Sequence, residues 1–242
     1  MCGRYTGRNV ERMALIISHI TGEDYEVVLA RFRQSDAGGA RYNIAPSQQN
    51  VVVAPLDAGA PAAGTMRWGN FVSFGPGSRP TFLINARSET ARQKKTFSDA
   101  IRTRRCLVPA DGFYEWKRDE KGRSLQAYYF QRKEGAAYWM AGLYWQEDPE
   151  QPRRYIVLTT APNELLEPIH DRMPVMLTED DARRWVDQAT PEENALALCR
   201  TFPAAEMQAH PVSDFVNKPA NEGPACIEPV EPKARPVQGE LF

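Results

Sequence analysis

The residue with the most to offer chemically is Cys2, directly behind the initiator methionine. Initiator methionine is usually trimmed when the next side chain is small, so the mature chain is expected to begin at Cys2 with an amine and a thiol on adjacent carbons. With reference pKa values of about 8 for the amine and about 8.5 for the thiol, both nucleophilic forms are accessible near neutral pH. Such a 1,2-aminothiol has two routes open to it. The thiolate can attack an acyl carbon with its own amine as base, or amine and sulfur can condense in turn with an aldehyde and close a thiazolidine ring. On its own, a cysteine after the start codon is equally consistent with chance.

Three further positions pair reactive side chains with structural punctuation. Glu115 lies in Phe113-Tyr114-Glu115-Trp116, His170 in Ile169-His170-Asp171-Arg172-Met173-Pro174, and Asn85 in Asn85-Ala86-Arg87-Ser88-Glu89-Thr90. Each also has a purely structural reading. Glu115 could be a strand-end carboxylate paired with an arginine. His170 could end a helix, where a cation is favourable. Asn85 or Ser88 could cap the helix that follows.

The elements that must position these residues are mixed. Val10 to Ile20 has Val10, Met13, Ile16, Ile17 and Ile20 at helical spacing, with Gly22 as a stop signal, and a second helix is expected from Asp24 to Phe32. Strands are expected at Asn50–Pro55, Thr81–Ile84, Arg105–Val108, Leu125–Gln131, Ala137–Leu143 and Arg154–Thr160, where β-branched and aromatic residues run between turn signals. Helices are expected at Ser88–Arg102, Asn163–Ile169 and Glu179–Val186. The pattern is an α+β fold: a curved or barrel-like, mostly antiparallel sheet with peripheral helices, and not βαβ alternation. One domain is expected over residues 2–227, followed by a disordered tail over 228–242 in which Pro229, Pro232 and Pro236 stand among charges.

At 242 residues, 42% of them hydrophobic and 25% charged, the chain can bury a full core. Cys2, Cys106, Cys199 and Cys226 form no CxxC pair, and His19, His170 and His210 stand at no ligand spacing, so no metal and no cofactor is expected. No segment reads as a secretory signal or membrane span, which leads to the expectation of a cytoplasmic, reduced, monomeric protein without membrane contact. A net charge of −1 hides a basic middle, Arg79 to Lys133, which permits an anionic partner without requiring one.

Met1-Cys2-Gly3-Arg4-Tyr5, Arg41-Tyr42-Asn43-Ile44-Ala45-Pro46, Arg67-Trp68-Gly69, the Asn85–Thr90 segment, Arg105 through Trp116 and the Ile169–Pro174 segment occur in this order along the chain. Together they resemble the SRAP (SOS response-associated peptidase) family. The resemblance implies a protein that senses abasic sites in single-stranded DNA and crosslinks to them as a thiazolidine through Cys2, shielding the lesion. It further implies that Glu115 assists sugar ring opening, helped by desolvation among aromatics. His170 is then expected to assist the Schiff-base and ring-closure steps, and Asn85 to orient amine and sugar. Single strands are held by cations on phosphates and by aromatic stacking worth about 1–3 kcal/mol per base. By resemblance, Arg4, Arg87 and Arg172 would hold phosphates, Trp68 and Trp116 would pack against bases, and Asn43, Pro46 and Thr159 would shape the cleft. For both tryptophans, ordinary core packing is an equal alternative.

Two further expectations accompany this one. Gln238, Leu241 and Phe242 resemble short peptides that dock on bacterial replication sliding clamps, making such a clamp a candidate partner. The Met-Cys-Gly start also occurs in glutamine amidotransferases of the N-terminal-nucleophile type, which leaves a thiol hydrolase or autopeptidase as the rival reading.

Overall fold

The computed structural model describes residues 2–34, 39–56, 59–75, 77–146 and 150–233. The Gln238–Phe242 peptide lies outside the described residues.

The principal sheet contains β3 (Gln49–Pro55), β4 (Pro61–Trp68), β8 (Arg105–Ala110), β11 (Tyr138–Trp145) and β12 (Arg154–Thr160). β4 pairs with β3, β3 with β8, β8 with β11, β11 with β12, and β12 returns to β4, so the pairing closes on itself as a barrel. The β12–β4 contact is parallel and the other four are antiparallel. Barrel strands bury both faces, which is why they read as near-continuous apolar runs. Successive residues divide between two cores: Val51, Val53, Leu107, Ala141 and Ile156 face outward, while Val52, Ala54, Cys106, Met140 and Val157 face inward.

The outward face is covered by α1 (Val10–Thr21), α2 (Tyr25–Gln34), α4 (Lys95–Thr103) and α5 (Glu179–Val186). Asn9 caps α1 by accepting from the Arg12 N–H, and Gly22 ends it in the left-handed region at φ 71°. Short β7 (Asn85–Arg87) runs parallel to β12, with Asn85 opposite Val157. β13 (Met173–Pro174) and β14 (Met176–Leu177) add to β12 and β11.

A second, five-stranded antiparallel sheet has the order β15 (Met207–Val212), β10 (Ser124–Arg132), β9 (Gly112–Arg118), β1 (Arg4–Gly7), β2 (Arg41–Ile44). It joins the barrel where β8 passes through Asp111 into β9. The Asp111 carboxylate accepts from the Arg8 and Asn9 backbone N–H groups and from the Thr6 hydroxyl, fixing the start of α1 against this bend. A separate hairpin pairs β5 (Asn70–Val72) with β6 (Thr81–Leu83).

Two expected helices take another form. Ser88–Arg102 is split into α3 (Ser88–Ala91) and α4, with Lys94 extended between them. Ala91 and Phe97, both buried, are six residues apart, a spacing that one continuous helix cannot turn to a single face. Over 164–169 the chain makes successive turns instead of a helix. Pro168 has no N–H to donate and disfavours helical geometry at Glu167, so the bonding breaks into two turns, Leu166 and Glu167 N–H to Asn163 O and then Ile169 and His170 N–H to Leu166 O. Beyond Glu228 the chain lies against β15: Pro229 bridges Val212, and the Val230 N–H donates to Pro211 O at 3.0 Å. The expected lack of structure therefore does not apply to 228–233.

Candidate active site

β1 is the pivot of the site, since it pairs with β9 on one side and β2 on the other, placing the chain's start between the barrel interior and the second sheet. Cys2 is fully buried among the inward-facing core residues. Its Sγ lies 3.7 Å from Arg4 O. Burial, reinforced by the Glu115 charge, raises the thiol above its ordinary pKa. This corrects the expectation of a readily ionised thiol: in the folded chain sulfur is held as S–H.

Asn85 reaches Cys2 from the barrel side, its Nδ2 donating to Cys2 O at 2.7 Å. It caps no helix, because Arg87 occupies the position before α3 and makes no side-chain capping bond. Asn85 Oδ1 is buried and has no hydrogen-bond partner among the described residues. An acceptor is therefore available beside the backbone of Cys2.

Glu115 arrives from β9, where Tyr114 pairs with Arg4. It is 2% exposed, and burial pushes its carboxyl up to about 7. The ion-pair partner it has among the described residues is His170, Nε2 to Oε2 3.8 Å, and not an arginine. His170 follows a turn, not a helix, and burial lowers its pKa although Asp171 partly offsets this. The Arg172 backbone N–H donates to His170 Nδ1 at 2.9 Å. Arg172 O and Asp171 Oδ1 each stand 3.2 Å from the same nitrogen, so Nδ1 is served by backbone and carboxylate while Nε2 is the ring nitrogen that faces Glu115.

Gly3, Arg4, Glu115, Trp116, Arg118, Ser124, His170 and Asn217 line one open pocket. Trp116 is half-buried there, its indole N–H donating to Asn217 Oδ1 at 2.7 Å. Arg4 also borders the pocket, but it spends donors on Asn43 Oδ1, Val216 O and Asn217 O, tying β1 to the C-terminal segment. Arg87 is exposed two residues after Asn85.

Arg172 is 9% exposed and forms a two-pronged pair with Glu89 at 2.8 and 2.7 Å, with a third bond to Thr159 O. Burial would raise the Glu89 carboxyl, but bonds to Arg172 outweigh it and the net shift is down.

Other expected contacts are not brought to the pocket. Trp68 is fully buried, stacked on Tyr155 at 6.4 Å and edge-on to Tyr5 at 5.2 Å, with its indole N–H bonded to Ile84 O. It packs the barrel interior and presents no face to a base. Asn43 is also fully buried, and its Nδ2 donates to the carbonyls of Val216, Lys218 and Asn221. It fastens the C-terminal segment and lines no cleft. Thr159 is buried against Ala86 O and Arg172, and Pro46 lies half-buried after β2, apart from the pocket lining. Gly3, Arg118, Ser124 and Asn217 are the lining residues that sequence reasoning missed. Only Gly3 and Arg118, beside Cys2 and three residues past Glu115, carried a positional signal. No cluster of three or more His, Cys, Asp or Glu side chains able to hold a metal occurs among the described residues, and no described helix is long and apolar enough to cross a membrane.

Known proteins resemble this chain in sequence and fold. The chain is 33% identical over 234 residues to abasic site processing protein YoqW of Bacillus subtilis (94% of this chain, 99% of that one). It is 30% identical over 241 residues to abasic site processing protein YedK of Escherichia coli (95% and 100%). Among solved structures, a phage-related protein from Bordetella bronchiseptica superposes with a TM-score of 0.66 at 31% identity, covering 87% of this chain and 94% of that one. The family model for SOS response associated peptidase (SRAP) matches residues 1–219, a span that runs from Cys2 through Asn85, Glu115 and His170 to Asn217. The chain belongs to the SRAP family.

Proposed function

We propose that the protein captures abasic sites in single-stranded DNA as a thiazolidine on Cys2 once Met1 has been removed. The observation that carries this reading is that Asn85 bonds the Cys2 carbonyl at 2.7 Å while Glu115, itself 3.8 Å from His170, lies near enough for its charge to act on the Cys2 thiol. The printed names of the relatives support the same class of substrate for those proteins.

The sugar of an abasic site is mostly a closed hemiacetal, and opening it requires one proton delivered and one removed. A carboxyl with a pKa of about 7 suits both tasks. One Glu115 oxygen gives its proton to the ring oxygen as the C1–O4 bond breaks, while the other takes the C1 hydroxyl proton. The acid is regenerated. His170 Nε2 stands 3.8 Å from that carboxyl, close enough to act on its charge.

The Cys2 amine then adds to the aldehyde carbon, and the carbinolamine loses its hydroxyl as water, with one N–H proton relayed to the leaving oxygen through Glu115. Asn85 holds the Cys2 carbonyl, and its Oδ1 accepts from the attacking amine. Finally the thiol adds across the C=N bond. Sulfur bonds to carbon and the thiol proton passes to nitrogen, so a buried S–H is the correct starting form. Protein plus aldehyde give adduct plus one water, with no redox change and no external base.

Mixing the protein with single-stranded DNA bearing one abasic site, followed by denaturing electrophoresis, tests the reading. A heat-stable adduct is expected that requires the lesion and is absent in Cys2→Ala. An equal adduct from Cys2→Ala would rule it out.

A further inference from the structure

Asn217 reaches the pocket from residues 213–223, a segment that forms no strand with either sheet. Side chains hold its backbone instead. The buried Asn43 amide donates to Val216 O, Lys218 O and Asn221 O, and Arg4 donates to Val216 O and Asn217 O. Glu222 accepts from the Tyr42 N–H at 2.8 Å and from Arg41 Nε at 3.0 Å. Side chains and backbone of β1 and β2 thus fix the stretch of chain that carries Asn217.

The Asn217 amide has its orientation imposed from both ends. The Trp116 indole N–H, which can only donate, meets Oδ1 at 2.7 Å, and the Asp214 carboxylate, which only accepts when ionised, takes Nδ2 at 3.2 Å. A flipped amide would offer each of them the wrong group. Asp214 is itself held by Lys233. The Trp116 ring also rests on the buried Tyr114 ring, centroids 6.4 Å apart and tilted by 41°. The indole beside Glu115 is therefore held both at its N–H and against its ring. Because the Trp116–Asn217 bond lies at the surface and is neutral, it adds little to the stability of the fold, and its main effect is on the freedom of the indole.

We infer that Asn217 is a positioning residue for capture of the lesion-bearing strand, acting through Trp116: it holds the indole in place as a wall of the pocket, so that DNA does not have to order it on binding. This rests on the function proposed above and assigns part of the substrate affinity to a residue that takes no part in the chemistry. A side chain that must be ordered at an interface weakens binding by about two- to tenfold, which sets the size of the effect. With its N–H spent on Asn217, the indole offers DNA an apolar ring and no donor, so this wall reads no base edge.

The test is a double-mutant cycle read by anisotropy, using Cys2→Ala protein, which cannot form the adduct, and a fluorescent single strand carrying a tetrahydrofuran abasic analogue. Asn217→Ala should weaken binding about two- to tenfold when Trp116 is present, and less than about 1.5-fold in a Trp116→Phe background, where a ring remains but has no N–H to hold. With Cys2 intact and authentic abasic DNA, Asn217→Ala should raise the half-saturating DNA concentration more than it lowers the saturating rate. Thermal unfolding should stay within a few degrees of wild type. Equal losses in the two backgrounds, no loss where Trp116 is present, or no binding of the strand by the Cys2→Ala protein overturns the inference. Failure of the proposed chemistry would appear separately, as absence of a wild-type adduct on authentic abasic DNA.

Discussion

Asn85 Nδ2 donates to the Cys2 carbonyl at 2.7 Å, a bond between β7, which runs beside barrel strand β12, and the second residue of the chain. This contact sets where the Cys2 nitrogen and sulfur lie relative to Glu115, which comes from the other sheet. The site is therefore assembled only when barrel and second sheet are both in place.

Removing that contact should cost rate more than stability. Asn85→Ala is expected to slow adduct formation by about ten- to a hundredfold in single-turnover experiments, with a loss of about 1–2 kcal/mol in urea unfolding for one buried hydrogen bond. A rate within twofold of wild type would show that Asn85 does not position Cys2.

Glu115 titrates near 7 in the fold against about 4.3 unfolded, so the fold favours its protonated form. The stability this contributes is fully present below about pH 4.3 and is lost as pH rises through about 7. Glu115→Gln should remove that pH dependence, making the variant more stable than wild type at pH 8 by on the order of 2–3 kcal/mol. The same substitution should abolish the inflection near pH 7 in the rate of adduct formation. Persistence of the inflection in the variant would assign it to another group.

The two tryptophans of the site motifs should behave differently. Trp68→Ala is expected to lower stability by about 3–5 kcal/mol, because it empties a packed position between Tyr5 and Tyr155. Trp116→Ala should leave thermal unfolding within a few degrees of wild type and weaken DNA binding by about 1–3 kcal/mol. Calorimetry and anisotropy on the two variants separate these effects.

The contrast also shows where sequence reasoning reached its limit. Arg67-Trp68-Gly69 and Phe113-Tyr114-Glu115-Trp116 both place tryptophan beside site residues, and local pattern cannot distinguish them. Trp68 ends a barrel strand with its ring inward, whereas Trp116 lies where β9 leaves the core. The α1 boundaries, four of the five barrel strands and α5 were legible because apolar runs and caps act locally, whereas β4, with its Pro61-Ala62-Ala63-Gly64 start, carried no strand signal. The break at Lys94 and the pocket residues Ser124 and Asn217 were not, since they depend on which distant elements meet. Cys2, Asn85, Glu115 and His170 were legible through motif order, yet the burial that raises the Cys2 thiol became visible only with the fold.

Arg172 is compensated by Glu89, and the pair should report on itself. Glu89→Gln is expected to lower stability at pH 7 by about 1–2 kcal/mol, discounted from buried-pair values because Glu89 is half exposed. Since the Glu89 carboxyl is held below its ordinary value, wild type should lose this advantage as pH falls through its folded pKa, and the two proteins should converge in acid. A difference that stays constant into acid would contradict the ion-pair account.

The most direct test of the central claim is the intact mass of the species formed between the protein and an abasic single strand, after heating. The account predicts the sum of the chain lacking Met1 and the DNA, less one water, with no free thiol at Cys2 and with resistance to borohydride. A reducible adduct that keeps the Cys2 thiol would indicate a Schiff base alone, and an adduct on a chain retaining Met1 would contradict the chemistry assigned to Cys2.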